Sequence, residues 1–331
     1  MNFFESVFLG LLQGLTEFIP VSSSAHLRIA GAFMPTAIDP GATFTAITQL
    51  GTETAVLLYF RHDIARIARA WFAQFGRSKL RLTTAGAGDS SAAAVGSGVG
   101  NGSGSGIASA LPGTLPGTRA GRRVAGVSTV RRDRHHPDVR LGWLIIVGTL
   151  PIVVAGFLFQ QTIRTSFRSL WIVAVVLIVF GVFLGIADLL GRRSKTLETL
   201  SYRDGLLFGF AQMLALVPGV SRSGATTTLG RALGYERSAV TRFSFLLAVP
   251  AVFGSGLYEL YHSISQPDTA APFGLAETAV ATIVAFSVGL AVITFLMNYI
   301  KRRSFLPFVI YRILLGSALL VLLSTGVINA S

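Results

Sequence analysis

No cysteine occurs anywhere in the 331 residues. Disulfides, thiolate nucleophiles and Cys-ligated metals are thereby excluded, although membrane proteins of many compartments share this lack. Charge is also scarce, at 13% of residues, and acidic charge especially so, with 15 Asp and Glu against 28 Lys and Arg. No Lys or Arg precedes Arg28, and Glu5 stands near the amino terminus. The basic n-region of a cleavable signal peptide is therefore missing, and the first hydrophobic segment is expected to stay in the mature protein. What fills the space is apolar, with 51% hydrophobic residues and a mean hydropathy of +0.63. Such a composition, with several apolar runs of about 20 residues, points to an integral membrane protein.

A net charge of +13 would suggest a nucleic-acid partner if it were spread over the chain. It is instead concentrated. Between Arg61 and Arg140 there are 13 Lys and Arg against four Asp, a net +9. These residues flank apolar segments, so the 61–140 stretch is expected in the cytoplasm, its basic ends near anionic lipid headgroups, with no nucleic acid involved. From Thr83 to Gly121 the chain is mostly Gly, Ser and Ala, too poor in bulky apolar side chains to offset the entropy of ordering. It reads as a flexible insertion.

Six segments, about 42–60, 141–159, 170–190, 240–259, 275–297 and 307–327, are long and apolar enough to be expected as spans. Residues 3–19 and 205–217 are apolar too, but they stop at Pro20 and at Pro218-Gly219, and a second short helix is expected to begin near Ser24 and Ser223. Each reads as a re-entrant helix pair buried in protein. The two are copies of one another. At a fixed offset of 199 residues Gln13 falls on Gln212, Leu15 on Leu214, Val21 on Val220, Ser22 on Ser221, Ser24 on Ser223 and Phe44 on Phe243. If the first pair enters from outside, three spans follow and the chain reaches Arg192, Arg193 and Lys195 inside. The second half then runs inverted, which puts Lys301, Arg302 and Arg303 inside and the carboxyl terminus outside. The expected architecture is an all-α integral membrane protein, an inverted-topology repeat of two re-entrant helix pairs plus six transmembrane helices. Along the chain this gives a first pair and span (1–75), the basic Gly/Ser-rich loop (76–140), spans two and three (141–203), and a second pair with spans four to six (204–331).

Two re-entrant tips entering from opposite faces meet near the midplane. That brings Ser22, Ser23, Ser24 and His26 beside Ser221, Arg222, Ser223 and Gly224. Both segments open a helix, where free N–H groups and the positive dipole end favour an anion, and Ser hydroxyls can cap the helix or donate to phosphate oxygens. Arg222 adds a planar fork matched to phosphate, while Glu17 and His26 flank the same anion with a carboxylate and an imidazole. A single Ser cluster after Pro is usually a helix cap, Glu17 near a surface could snorkel, and a lone His is commonly satisfied by packing. The duplication and the insertion cost of intramembrane charge, about 2.5–3.5 kcal/mol each, favour function for Glu17 and Arg222.

The runs Gly14-Leu-Thr-Glu17-Phe-Ile-Pro-Val-Ser-Ser-Ser-Ala-His26, Pro218-Gly-Val-Ser-Arg-Ser-Gly-Ala-Thr226 and Phe243-Ser-Phe-Leu-Leu-Ala-Val-Pro250 resemble the undecaprenyl-pyrophosphate phosphatase family, the integral-membrane bacitracin-resistance type. The resemblance covers nearly the whole chain outside the 76–140 loop. It implies a multi-pass enzyme of the bacterial cell membrane that hydrolyses undecaprenyl diphosphate to the monophosphate, recycling the carrier for peptidoglycan at a site open to the outer face. Carried over residue by residue, Glu17, His26, Arg222 and Ser23 are the implied catalytic group. Gln13, Ser22, Ser24, Ser221, Ser223, Gly224 and Thr226 are the implied substrate-binding positions. Gln13 stands where the family has a first glutamate, and Ala25 where it commonly has Gly. One carboxylate is thus absent from the first motif, which leaves Glu17 and the diphosphate oxygens to hold Mg²⁺ or Ca²⁺. Water and Ser23 remain alternative nucleophiles, and a homo-oligomer is compatible with the sequence. The rival reading is a transporter of a lipid phosphate or other anion, since inverted repeats with broken helices are also transporter architecture. Glu17 and His26 favour catalysis.

The orientation is testable in this Cys-free chain. Ser331→Cys should react with an impermeant maleimide on intact cells and Ser105→Cys should not. Labelling of Ser105→Cys from outside would overturn the assignment.

Overall fold

A computed structural model describes residues 3–34, 39–84, 137–266 and 272–328. Twelve α-helices run through them: α1 Phe3–Thr16, α2 Ser23–Phe33, α3 Gly41–Tyr59, α4 Arg61–Thr84, α5 Pro137–Leu158, α6 Gln160–Arg164, α7 Leu170–Leu190, α8 Tyr202–Met213, α9 Arg222–Ala232, α10 Arg237–Ser265, α11 Leu275–Tyr299 and α12 Leu306–Ser324. The extended pairing seen among the described residues is one isolated bridge between Lys195 and Tyr235. The fold is all-helical.

Five helices, α5, α7, α10, α11 and α12, are long and apolar enough to cross a membrane. Their outward surfaces carry residues such as Phe157 and Leu190, each at least 80% exposed, which suits contact with lipid tails. The segment expected as a sixth span forms α3, but Thr45, Thr48, Gln49, Thr52 and Glu53 along its middle make it less apolar, and it is not one of the five. All but Gln49 of these are buried. The basic stretch expected as loop begins instead with a helix: α4 continues α3 after one break at Phe60 and runs to Thr84. The flexible insertion between Thr83 and Gly121, and most of the 76–140 loop, lie outside the described residues.

Both broken helices are present where the sequence places them. Proline cannot donate a backbone hydrogen bond, so α1 ends ahead of Pro20 and α8 ahead of Pro218. Helices α2 and α9 each have 11 residues and coincide under the 199-residue offset. The first helix of each half packs on a long helix of the other, α1 on α11 and α8 on α5. Glycine makes these crossings close. A Cβ added at Gly10 would sit 2.5 Å from the carbonyl oxygen of Ala281, and one at Gly209 would sit 2.5 Å from that of Gly148. Small residues let membrane helices approach to backbone contact, where dispersion rather than hydrophobic transfer holds them.

Between these pairs α3 packs on α10 and α11, and α7 on α12. Aromatic residues fill the centre, with Phe18 edge-on to Phe245 at 5.3 Å and Phe208 edge-on to Phe243 at 5.0 Å. At one end of α9 the buried Arg231 donates to Asp188 and to the carbonyls of Gly191, Arg192 and Tyr235, and Asp188 also accepts from Arg237 and the Phe305 N–H. This ties α7, α9, α10 and α12 together and leaves the other end of α9 to meet α2.

Candidate active site

The meeting of the two tips rests on backbone geometry. Ser22 and Ser221, related by the repeat, are the two non-glycine residues with positive φ among the described residues, at 74° and 69°. Such conformations cost about 1–3 kcal/mol and persist where surroundings impose them. Each serine turns that strain to use as an N-cap. The Ser22 hydroxyl accepts the Ala25 N–H at 3.4 Å, and the Ser221 hydroxyl accepts the Gly224 N–H at 3.1 Å. The pattern repeats in the hydroxyl pairs Ser22–Ser24 at 3.3 Å and Ser221–Ser223 at 3.2 Å. The copies are joined directly, from the Gly219 N–H to the Ser22 hydroxyl at 3.0 Å and from the Ser223 hydroxyl to the Ile19 carbonyl at 3.5 Å. Gly219 has φ +102°, so glycine is the residue that fits there.

Helix breaks leave carbonyls without helical partners, and here a buried arginine takes them. Arg312 of α12 is fully buried and donates to the carbonyls of Pro20 (3.0 Å), Gly219 (2.7 Å), Val220 (3.1 Å) and Leu177 (3.2 Å). It thus clamps the first break to the second and both to α7. Gly224 serves this clamp, because a Cβ there would sit 2.8 Å from Arg312 Nη1.

Above the clamp lies a charged cluster. Glu17 forms an ion pair with Arg222 through Oε1, and its Oε2 accepts from Gln13 Nε2 and Ser23 Oγ, each at 2.6 Å. Arg222 Nη2 also lies 3.9 Å from Glu53 Oε2. Of the residues anticipated from sequence, Gln13, Glu17, Ser22, Ser23, Ser24, Ser221, Arg222, Ser223 and Gly224 come together here. Thr226 and His26 stand apart. The Thr226 hydroxyl, fully buried, points back to the Arg222 carbonyl and pairs with Ser244. His26 Nδ1 pairs with the Ser22 carbonyl at 2.7 Å and so carries the proton, while Nε2 pairs with Tyr311 Oη at 2.7 Å and the two rings stack. His26 braces the tip from behind.

A cavity of about 610 Å³ opens over this cluster. Its floor is polar, formed by Glu17, Ser22, Ser23, Ser24, Ser221 and Arg222. Its walls are largely apolar, from Ile152, Val153 and Phe157 of α5 and Pro250, Ala251 and Val252 of α10. At the rim, Arg164 pairs with Glu259, and Arg168 with Asp39. Burial alone would raise the Asp39 carboxyl, but the Arg168 guanidinium outweighs it and holds the group below the usual carboxylate range. A polar floor under apolar walls suits an amphiphile with a phosphorylated head and a hydrocarbon chain.

The donor set for a divalent cation is oxygen alone: Glu17, Glu53 and the Gln13 amide. Gln13 Oε1 and Glu53 Oε1 are buried and have no hydrogen-bond partner. Such donors suit a hard cation. No cluster of three or more His, Asp or Glu side chains occurs among the described residues, so the remaining ligands would have to be substrate oxygens and water. Sequence reasoning missed Glu53, Tyr311 and Arg312. Glu53 and Arg312 were visible as the lone charged residues within the apolar segments expected as the first and last spans, the signal by which Glu17 and Arg222 were singled out.

The family model of the bacitracin resistance protein BacA matches residues 6–97 and 119–318. Curated relatives include undecaprenyl-diphosphatases of Micrococcus luteus, 52% identical, and Clavibacter michiganensis, 51% identical, each over 330 residues and all of both chains. That of Paenarthrobacter aurescens is 50% identical, again over 330 residues and the full length of both.

Replacing Arg312 by Leu should leave the buried carbonyls of Pro20, Gly219 and Val220 without a donor, at about 1–3 kcal/mol each. The variant should lose several degrees or more of thermal stability in detergent, and Arg312→Lys, with fewer donors and no fork, should recover only part. A Leu variant as stable as the parent would contradict the clamp.

Proposed function

The chain belongs to the BacA bacitracin-resistance family, and we propose on that footing that it hydrolyses undecaprenyl diphosphate to undecaprenyl phosphate and phosphate in the bacterial cell membrane. The reaction returns the lipid carrier to peptidoglycan synthesis and accounts for bacitracin resistance. The observation that carries the assignment of roles is the chain of contacts Ser23–Glu17–Arg222 on the floor of an apolar-walled cavity.

Hydrolysis of a diphosphate needs positioning of the head, neutralisation of its charge and an activated nucleophile. Helices α2 and α9 direct their N-terminal ends at the floor, and the N–H groups of Ser23, Ser24, Arg222 and Ser223 precede the first capped donors. They would cradle phosphate oxygens. Arg222 engages the carboxylates through Nη2, which leaves its other donors for the substrate. Ser23 Oγ donates to Glu17 Oε2, so Glu17 stands where it can take the proton of Ser23, or of a water in its place, as oxygen attacks the terminal phosphorus. The bond to the bridging oxygen breaks and the lipid monophosphate leaves; with water as nucleophile phosphate forms at once, and with Ser23 a water must then hydrolyse the phosphoserine ester to release it. Ser22, Ser24, Ser221 and Ser223 would hold the remaining oxygens, with Gln13 fixing Glu17. His26 would act as acid or base only after Nε2 exchanges its Tyr311 contact, and otherwise holds the Ser22 carbonyl. Mg²⁺ or Ca²⁺, carried by Glu17 and the diphosphate oxygens, would supply charge neutralisation.

The fold supports an inverted-topology repeat, in which α1–α2 and α8–α9 are re-entrant pairs and α3 is a sixth span beside the five long apolar helices. The coincident α2 and α9, the paired positive-φ serines and the exchanged packing of α1 on α11 and α8 on α5 favour this reading. The polar residues of α3 are tolerable in hydrocarbon because they face protein.

Purified protein should release phosphate from undecaprenyl diphosphate, less so with chelator present. Arg222→Ala should lower kcat/KM by roughly 10²–10³-fold, in the range seen when a charge-stabilising donor is removed, and Arg222→Lys should recover little. Glu17→Gln keeps shape and should lower kcat more than it weakens lipid-diphosphate binding. Unchanged turnover in Glu17→Gln would remove Glu17 from the mechanism, and binding without hydrolysis in the wild type would favour an anion transporter.

A further inference from the structure

Glu53 belongs to no recognised motif of this chain, yet α3 aims it at the site. The helix face bearing Ala42, Thr45, Ala46 and Gln49 lines the cavity, and Glu53 follows Gln49 by one turn on that face, 1% exposed. Its Oε2 is 3.9 Å from Arg222 Nη2, the same nitrogen that pairs with Glu17. That separation is too long for a hydrogen bond, and its Oε1 has no donor at all. A carboxylate placed solely to hold Arg222 would use its oxygens as Glu17 does, on bonded donors.

Two carboxylates share one guanidinium here, so ionising both would leave an excess negative charge in a buried place, a cost that a bound cation would offset. A diphosphate head adds more. Two oxygens near that excess, Glu53 Oε1 and Gln13 Oε1, are buried and unpartnered. Gln13 is tied through its amide nitrogen to Glu17, so its free oxygen stays beside the carboxylate. Carboxylates with an amide oxygen form the donor chemistry of Mg²⁺ and Ca²⁺. We propose that Glu53 is the second carboxylate of this site and that, with Glu17, it binds the divalent cation that accompanies the diphosphate. The carboxylate that α1 lacks at Gln13 is thereby supplied from α3. This inference rests on the proposed hydrolase reading for its purpose, and its test does not depend on turnover.

Detergent-purified protein, stripped with chelator and free of lipid substrate, is titrated with Mn²⁺ while the free ion is followed by electron paramagnetic resonance. The wild type should take up about one Mn²⁺, and Glu53→Gln, which keeps shape, should weaken the affinity about tenfold or more. Adding Gln13→Glu to Glu53→Gln should restore most of it. Gln13→Glu alone, in a protein that keeps Glu53, should tighten binding. Wild-type affinity in Glu53→Gln, or no Mn²⁺ uptake by the wild type, overturns the proposal. So does weaker or unchanged affinity in Gln13→Glu, a result that stands even if Glu53→Gln does not fold. Mn²⁺ binding through Glu53 with no phosphate release in any preparation would sink the hydrolase reading and leave the cation site intact.

Discussion

A helix broken inside hydrocarbon leaves carbonyl groups that neither water nor the helix can satisfy, and each such group costs enough to forbid the break. Arg312 removes that prohibition. One guanidinium, fully buried, donates to carbonyls of both breaks, Pro20 in the first and Gly219 and Val220 in the second, as well as to Leu177. Burying an arginine is itself expensive without compensation, and its partners here are neutral carbonyls rather than a carboxylate. The cost of the charge and the cost of the breaks therefore offset one another. Neither tip would hold its shape alone.

With the breaks stabilised, their strain becomes usable. Ser22 and Ser221 occupy positive φ, and that turn reverses the chain so that α2 and α9 both begin at the same place. Two helix N-termini then share one small volume, which creates positive potential without many basic side chains. Arg222 adds a full charge, and the carboxylate of Glu17 holds it in place. A site built this way is stiff on its floor and apolar on its walls. It is suited to grip a diphosphate while the hydrocarbon chain stays among α5 and α10.

Much of this was legible in the residues themselves. The helix breakers Pro20 and Pro218, the offset of 199 residues and the serine clusters placed both tips, because local backbone chemistry decides where a helix stops and caps. The long apolar runs became helices within a few residues of their expected limits. What escaped was tertiary. Arg312 and Glu53 lie in apolar segments far along the chain from the groups they meet, and a periodic pattern shows that a face is polar without showing what it faces. Gln13 posed a local puzzle, a missing carboxylate, whose counterpart stands on another helix. His26 could be placed near the first tip from its neighbours in sequence, but the Tyr311 ring that holds it lies on a distant helix. The start of the basic stretch concealed α4, whose helical pattern was overshadowed by the count of its charges.

The central claim is that both tips grip one diphosphate between them. It is tested most directly by a structure of the protein with a polyprenyl methylenediphosphonate, a non-hydrolysable analogue of the lipid. The account predicts the two phosphonate groups between the N-termini of α2 and α9, in contact with Arg222 and the Ser22–Ser24 and Ser221–Ser223 segments, and the chain along α5 and α10. A head group held at the rim by Arg164 and Arg168, with both tips free of it, would contradict the account.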